Sequence, residues 1–375
     1  MGDFMKRILS FIIKDKVFFI ALIFAAISMF FIPPSVAYLG YINTKVLIVM
    51  FTLMISVAGM YETHFFDFIA TKLVIRFVSI KWIALVIILV TFFLGMFLTN
   101  DAVLLTLVPF TIFVTKHTKQ EKYSLIIIIL QTIAANMGSA LTPMGDPQNI
   151  YLYAFYDIPF DEFLLATLPI TLTGLVLLIL TTLFRIPHKE CELNLVAPSV
   201  RWDRVILYSL FLVNALLSIL RIVNVWITLG ATIILALIYG RHLFKRIDYH
   251  LLLTFTAFFI FTGNLSQMQF LETLTREFLS SQTSVYFTGL VTSQFISNVP
   301  AAVLLSTFTD RMYWQALLQG VNVGSMGTII GSLASLISFK YILKEDRSHL
   351  KTYLLNYTVL SIIYITMITL ILFII

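Results

Sequence analysis

The chain has 375 residues, of which 59% are hydrophobic and only 12% charged, and its mean hydropathy of +0.97 lies in the range of polytopic membrane proteins, outside that of soluble ones. The net charge of +6 is no sign of a nucleic-acid partner, because basic residues in such a chain mark cytoplasmic loops. The single cysteine, Cys191, excludes an internal disulfide framework and a cysteine-rich metal site, and the six histidines all fall in or beside predicted loops.

In chain order, the first apolar run follows basic residues but has no small-residue cleavage site, so it reads as a membrane helix and not a signal peptide. Runs of roughly 17 to 25 apolar residues span a ~30 Å hydrocarbon core. They are expected at 17–32, 45–60, 163–184, 205–220, 224–240, 251–263 and 352–375. Two further pieces, 123–150 and 313–339, read as spans interrupted in their middles. Two more, 82–115 and 283–309, carry polar tips, "FLTNDAVLL" and "FISNVPAAVLL", and read as re-entrant hairpins; the arm 102–115 is short for a full span.

Charge orients these elements. With the N-terminus cytoplasmic, Lys81 flanks one end of the first hairpin and Lys116, Lys119 and Lys122 the other, which places both ends inside. The segment "YDIPFDEF", with Asp157, Asp161 and Glu162 and no basic residue, falls outside. The loops 185–204, 241–250 and 340–351 fall inside, leaving Lys45, Arg221, Arg276 and Arg311 as the only basic residues outside. The expectation is a multi-pass protein of the cell (inner or plasma) membrane, with the lipid bilayer as its surroundings.

The two halves list the same elements: helix, helix, amphipathic link, hairpin, broken helix, helix. Residues 1–184 form the first repeat, 185–223 a cytoplasmic linker and connecting helix, and 224–375 the second repeat, inverted by the odd span at 205–220. Asn136/Asn322, Gly138/Gly324, Ser139/Ser325, Thr142/Thr328 and Gly145/Gly331 share one constant offset, and each hairpin tip carries an asparagine, Asn100 or Asn298. Inverted repeats with interrupted helices at matching positions point to a secondary transporter with its site near the midplane.

Unpaired backbone in a membrane is tolerated only where protein or a polar cavity satisfies it, so the breaks imply something polar to bind. The glycines at 138, 145, 324, 327 and 331 permit positive φ and close backbone approach, and Ser139, Thr142, Ser325, Thr328, Ser332 and Ser335 supply hydroxyls. The tips also read as helix starts: Asn100 and Asp101 as caps of one arm, Ser297 and Asn298 of the other, and Asp146 as the cap of a half-helix with Pro147 in its first turn. Such N-termini suit an anion, and the opposing carbonyls suit a sodium ion. Only Asp101 and Asp146, of 19 acidic residues, lie inside membrane elements, which makes them candidates for cation or proton coupling as well as for capping.

At these motifs the sequence resembles the ion transporter superfamily with its citrate transporter-like domain, which includes divalent anion:sodium symporters, arsenite permeases and NhaD-type sodium/proton antiporters. "TNDAVLLTLVPF", "TPMGDPQNI", "SNVPAAVLL" and "GTIIGSLASLISF" are similar to its hairpin tips and unwound helices. The resemblance implies an all-α inverted-repeat fold with two re-entrant hairpins and two unwound transmembrane helices. It also implies an elevator motion against a scaffold, and a homodimer. Thr99-Asn100-Asp101 and the "GDPQN" stretch are closer to the arsenite and antiporter branches than to the dicarboxylate symporters, and Ser297-Asn298-Val299 has Val where the dicarboxylate pattern has a hydroxyl.

The expected function is therefore secondary transport of a small anion, carboxylate or inorganic oxyanion, coupled to Na⁺ or H⁺. The expected substrate site is Thr99, Asn100, Asn136, Gly138, Ser139, Thr142, Ser297, Asn298, Asn322, Gly324, Ser325 and Thr328. Cation coupling is assigned to Asn100, Asp101, Gly145, Asp146, Asn149, Asn298, Gly331 and Ser332. No catalytic residue, structural metal or cofactor beyond the coupling ion is expected. The alternative is a Na⁺/H⁺ antiporter using Asp101 and Asp146. An intramembrane enzyme or passive scaffold is disfavoured, since no catalytic dyad shares a cavity and no nucleotide-binding loop appears.

Overall fold

The computed structural model describes residues 15–192, 195–268, 278–345 and 347–374, together with Phe11, Phe270 and Thr275. Arg276, assigned above to the outer face, and the N-terminal ten residues lie outside the described residues. The regular elements of the described chain are all helices, with a lone antiparallel bridge between Ser79 and Glu190 as the only β-type pairing among the described residues. Helices are what an apolar chain must form in lipid, because they satisfy every backbone group within one segment.

The first half contains α1 (Lys16–Phe31), α2 (Thr44–Glu62), α3 (Phe65–Val74), α4 (Ile80–Gly95), α5 (Asn100–His117), α6 (Ser124–Ala140), α7 (Pro147–Phe155) and α8 (Phe160–Arg185). Then come α9 (Trp202–Ile219), α10 (Val225–Tyr239), α11 (Tyr249–Leu265), α12 (Gln282–Ile296), α13 (Asn298–Ser306), α14 (Trp314–Gly324), α15 (Leu333–Glu345) and α16 (Leu350–Ile374). The starts are set by polar caps at the ends of apolar runs. Asp15 accepts from the Phe18 N–H, Asn43 from Val46, Asn224 from Trp226, Asp248 from Leu251, and Ser281 and Ser284 form a reciprocal capping box.

Among the described residues, five helical stretches are long and apolar enough to cross a membrane: Thr44–Glu62, Glu121–Ala140, Phe160–Arg185, Trp202–Ile219 and Leu350–Ile374. Four more apolar helices, α1, α4, α10 and α11, run 15 to 17 residues. The protein is an all-α polytopic membrane protein. Both expected breaks are present, and both second halves run further than the sequence implied, to Phe155 and Glu345 instead of 150 and 339. The second hairpin arm is the shorter one, ending at Ser306.

Packing between the halves is reciprocal. The first helix of the first half, α1, lies on α11, and α10 lies on α2. Arm α5 packs against half-helix α15, and arm α13 against half-helix α7. Likewise α8 contacts α14, and α16 contacts α6. The broken helices sit at the centre: every residue of α6 from Ile127 to Ala140 is buried, as are Val321 to Gly324 of α14. The outer faces of α8, α9, α10 and α16 carry exposed Leu, Ile, Val and Phe, the surface a lipid-facing rim requires.

Candidate binding site at the helix breaks

Each broken helix is docked onto its own hairpin by the same three devices. Gly138 lies so close to α4 that an added Cβ would sit 1.9 Å from the Phe92 carbonyl oxygen; Gly324 approaches the Leu290 carbonyl of α12 in the same way, at 2.8 Å. The hydroxyls of Thr142 and Thr328 donate to the carbonyls of Met96 (2.5 Å) and Gln294 (2.9 Å). The N–H groups of Asn100 and Asn298 donate to the carbonyls of Gly145 (3.2 Å) and Gly331 (2.9 Å). Ser139 and Ser325 donate back to Asn136 and Asn322 one turn earlier. Close approach is thus the use of these glycines; the expected positive φ is not, since no described glycine has one.

The tips differ from the expected caps. Thr99 and Ser297 are the cap residues, and neither caps through its side chain. Asn100 and Asn298 accept from the N–H groups of Asp101 and Val299, both at 2.9 Å, while Asp101 and Asp146 make no cap bond. Asp146 serves α7 through its backbone carbonyl, which takes the Asn149 and Ile150 N–H groups, and Pro147 at the first helical position needs no partner.

Its side chain is released for another purpose. Asp146 Oδ2 accepts from Asn100 Nδ2 at 2.7 Å and from Asn298 Nδ2 at 3.4 Å, so one carboxylate is held by both hairpin tips. Asn100 Nδ2 also donates to Asn136 Oδ1 at 3.1 Å. A second set lies beside it: Asn322 Nδ2 donates to Asn149 Oδ1 at 2.8 Å, Gln148 Nε2 to Asn322 Oδ1 at 3.4 Å, and Asn149 Nδ2 to the Ser139 and Thr142 carbonyls. All of these side chains are buried, and among the described residues no Lys or Arg is.

Asp101 belongs to a different surface. Its Oδ1 is buried without a hydrogen-bond partner among the described residues, and Asp101 lines a cavity of about 460 Å³ with Thr99, Pro147, Ile150, Asp248, Tyr61 and Tyr341. Arg246 stands at this cavity but is already paired with Glu62 at 2.7 Å. Asp101 and Asp146 share no hydrogen bond. Ser332, the counterpart of Asp146 at the same offset, caps α15 and joins Ser335 (3.0 Å) and through it Tyr357 (2.8 Å), apart from the carboxylate cluster.

Two glutamines were missed. Gln148 lies inside the quoted "GDPQN" and faces Asn322. Gln294 ties α12 to the second break, donating to the Gly324 carbonyl and accepting from the Thr328 N–H, both at 2.8 Å. For Gln294, a polar residue three positions before the tip residue Ser297 of an apolar arm was the available signal.

The family model for the citrate transporter family matches residues 8–316. The chain belongs to that family. This citrate transporter family member is 31% identical to an uncharacterized transporter of Methanocaldococcus jannaschii over 301 residues, covering 80% of the chain and 81% of the relative. It is 30% identical to the inner membrane protein YbiR of Escherichia coli over 330 residues, covering 86% and 87%. The family member is a membrane transporter, in keeping with the ion transporter superfamily that its motifs resemble.

Proposed function

We propose that the chain is a cation-coupled secondary transporter of a small anion, carboxylate or inorganic oxyanion, working by an elevator form of alternating access. The observation that carries the reading is the Asp146 carboxylate held by Asn100 and Asn298, one from each hairpin. An anion about 5 Å from a bare carboxylate is repelled by about 3 kcal/mol at an effective dielectric of ~20. A cation or proton at Asp146 removes that penalty, so substrate and coupling ion bind together. The broken helices then supply neutral donors and carbonyls without a basic side chain. The family description, citrate transporter, supports a carboxylate as substrate.

The reciprocal packing of α5 on α15 and α13 on α7 supports the inverted repeat and its re-entrant hairpins. On the charge-based threading, the cavity at Asp101, Arg246 and Asp248 opens toward the cytoplasm, and this conformation faces inward. Thr99, at its wall, would meet substrate first from that side.

The test is uptake into proteoliposomes of labelled citrate, succinate, arsenite and sulfate, each under an imposed Na⁺ or pH gradient. Gradient-driven uptake of at least one anion is expected; none under either gradient contradicts the proposal. The antiporter reading is favoured by one observation, carboxyl groups at both Asp101 and Asp146 with no Lys or Arg buried among the described residues. Its mark is proton flux on adding Na⁺ to vesicles with no substrate anion, read by a pH-sensitive dye.

A further inference from the structure

Further along the same face of α7 from the Asp101 cavity, toward its C-terminal end, lies a second cavity of about 330 Å³, bounded by the start of α2, the end of α7 and the turn between α9 and α10. Its wall includes Lys45, Ile150, Tyr153, Asp157, Ser218 and Arg221. Ile150 lines both cavities.

Two features make this second cavity a receptor for negative charge. Two cationic groups from separate elements, Lys45 and Arg221, converge on it, against one carboxylate, Asp157. Arg221 Nη1 is 2.8 Å from Asp157 Oδ1 and its guanidinium stacks 4.7 Å from the Tyr153 ring, while Lys45 has no ion pair among the described residues. On the charge-based threading this is the outer face, whose few basic residues include both Lys45 and Arg221.

We propose that this cavity binds a small carboxylate or oxyanion, held by Lys45 and Arg221, as a loading site separate from the Asp146 cluster. An arriving carboxylate competes with Asp157 for the Arg221 guanidinium, whose fork accepts either partner. The loading role rests on the anion-transport reading; the binding site itself does not.

The test is alkylation of Val223→Cys, a half-buried wall position, in purified full-length protein carrying Cys191→Ser, with citrate or sulfate as protectant and chloride at equal ionic strength as control. Citrate or sulfate should slow alkylation and chloride should not. Lys45→Gln and Arg221→Gln should each raise the protecting concentration about tenfold, the effect of losing one charge-assisted contact, and Asp157→Asn should lower it. Asn100→Ala should leave protection unchanged.

Lys45 is exposed, so its variant reads the site even if the Arg221 variant fails to fold. Equal protection by chloride, no shift in Lys45→Gln, or loss of protection in Asn100→Ala would overturn the proposal. A lipid phosphate offers the same chemistry, so phosphatidylglycerol is a separate arm; protection by that lipid with none by citrate or sulfate would also overturn it. Protection in a protein that transports no anion leaves the site standing and removes only its loading role.

Discussion

Asn100 Nδ2 lies 2.7 Å from Asp146 Oδ2, and that bond fastens the tip of the first hairpin to the start of half-helix α7. Asn298 reaches the same oxygen from the other half at 3.4 Å. The two bonds tie three segments, far apart in sequence, to one ionisable group, and their unequal lengths set an order of effects.

Asn100→Ala should lower anion uptake more than Asn298→Ala. A hydrogen bond to a charged group contributes ~1.5 to 3 kcal/mol, so the first variant should lose about ten- to a hundredfold in apparent affinity for the coupling ion. The longer Asn298 contact should cost less. Initial uptake rates against cation concentration check the ranking; equal losses, or wild-type transport in both, contradict it.

Gly138→Ala should destabilise the protein more than Gly324→Ala, because the added carbon meets backbone at 1.9 Å in the first case and 2.8 Å in the second. Overpacking of this kind typically costs ~1 to 3 kcal/mol. Gly230→Ala, with nothing within 4 Å of its added carbon, is the neutral control. Melting temperatures of the three purified variants decide the matter.

Ser297 sits at φ 74, ψ 155, a region that only glycine enters without strain, while its counterpart Thr99 is relaxed at φ −65. Ser297→Gly should therefore stabilise the folded protein by ~1 kcal/mol. Its hydroxyl makes only the 3.2 Å contact with Asn298 and a 3.4 Å contact with the Gly331 carbonyl, so little is lost in exchange. A lower melting temperature would show that the strain is not relieved.

The breaks and tips were legible because Asn, Gly, Ser, Thr and Pro are out of place in an apolar run, and the one-offset identities marked both halves. The use of Thr142 and Thr328 as hairpin fasteners was not legible, since a hydroxyl in a break reads equally as ligand or as strut. The capping role of Asp146 was expected from its place before Pro147, yet the side chain turns away because its own backbone carbonyl already serves the first turn of α7. That Asn100 and Asn298 meet on one oxygen depends on how α5, α13 and α7 are stacked, which no spacing within a single segment encodes. Asp101 and Asp146, paired in the sequence reading as two coupling carboxylates, occupy different surroundings, a cavity wall and a buried amide cluster.

If Asp146 holds the coupling ion, Asp146→Asn in proteoliposomes should uncouple uptake from the gradient. If Na⁺ couples, the variant should lose the Na⁺ dependence of uptake. If H⁺ couples, wild-type uptake should rise as external pH falls, since protonation removes the charge that repels the anion, and the variant should be flat with pH. Asp101→Asn should retain the gradient response. Anion uptake by Asp146→Asn that still follows the Na⁺ or pH gradient as the wild type does would show that Asp146 does not hold the coupling ion.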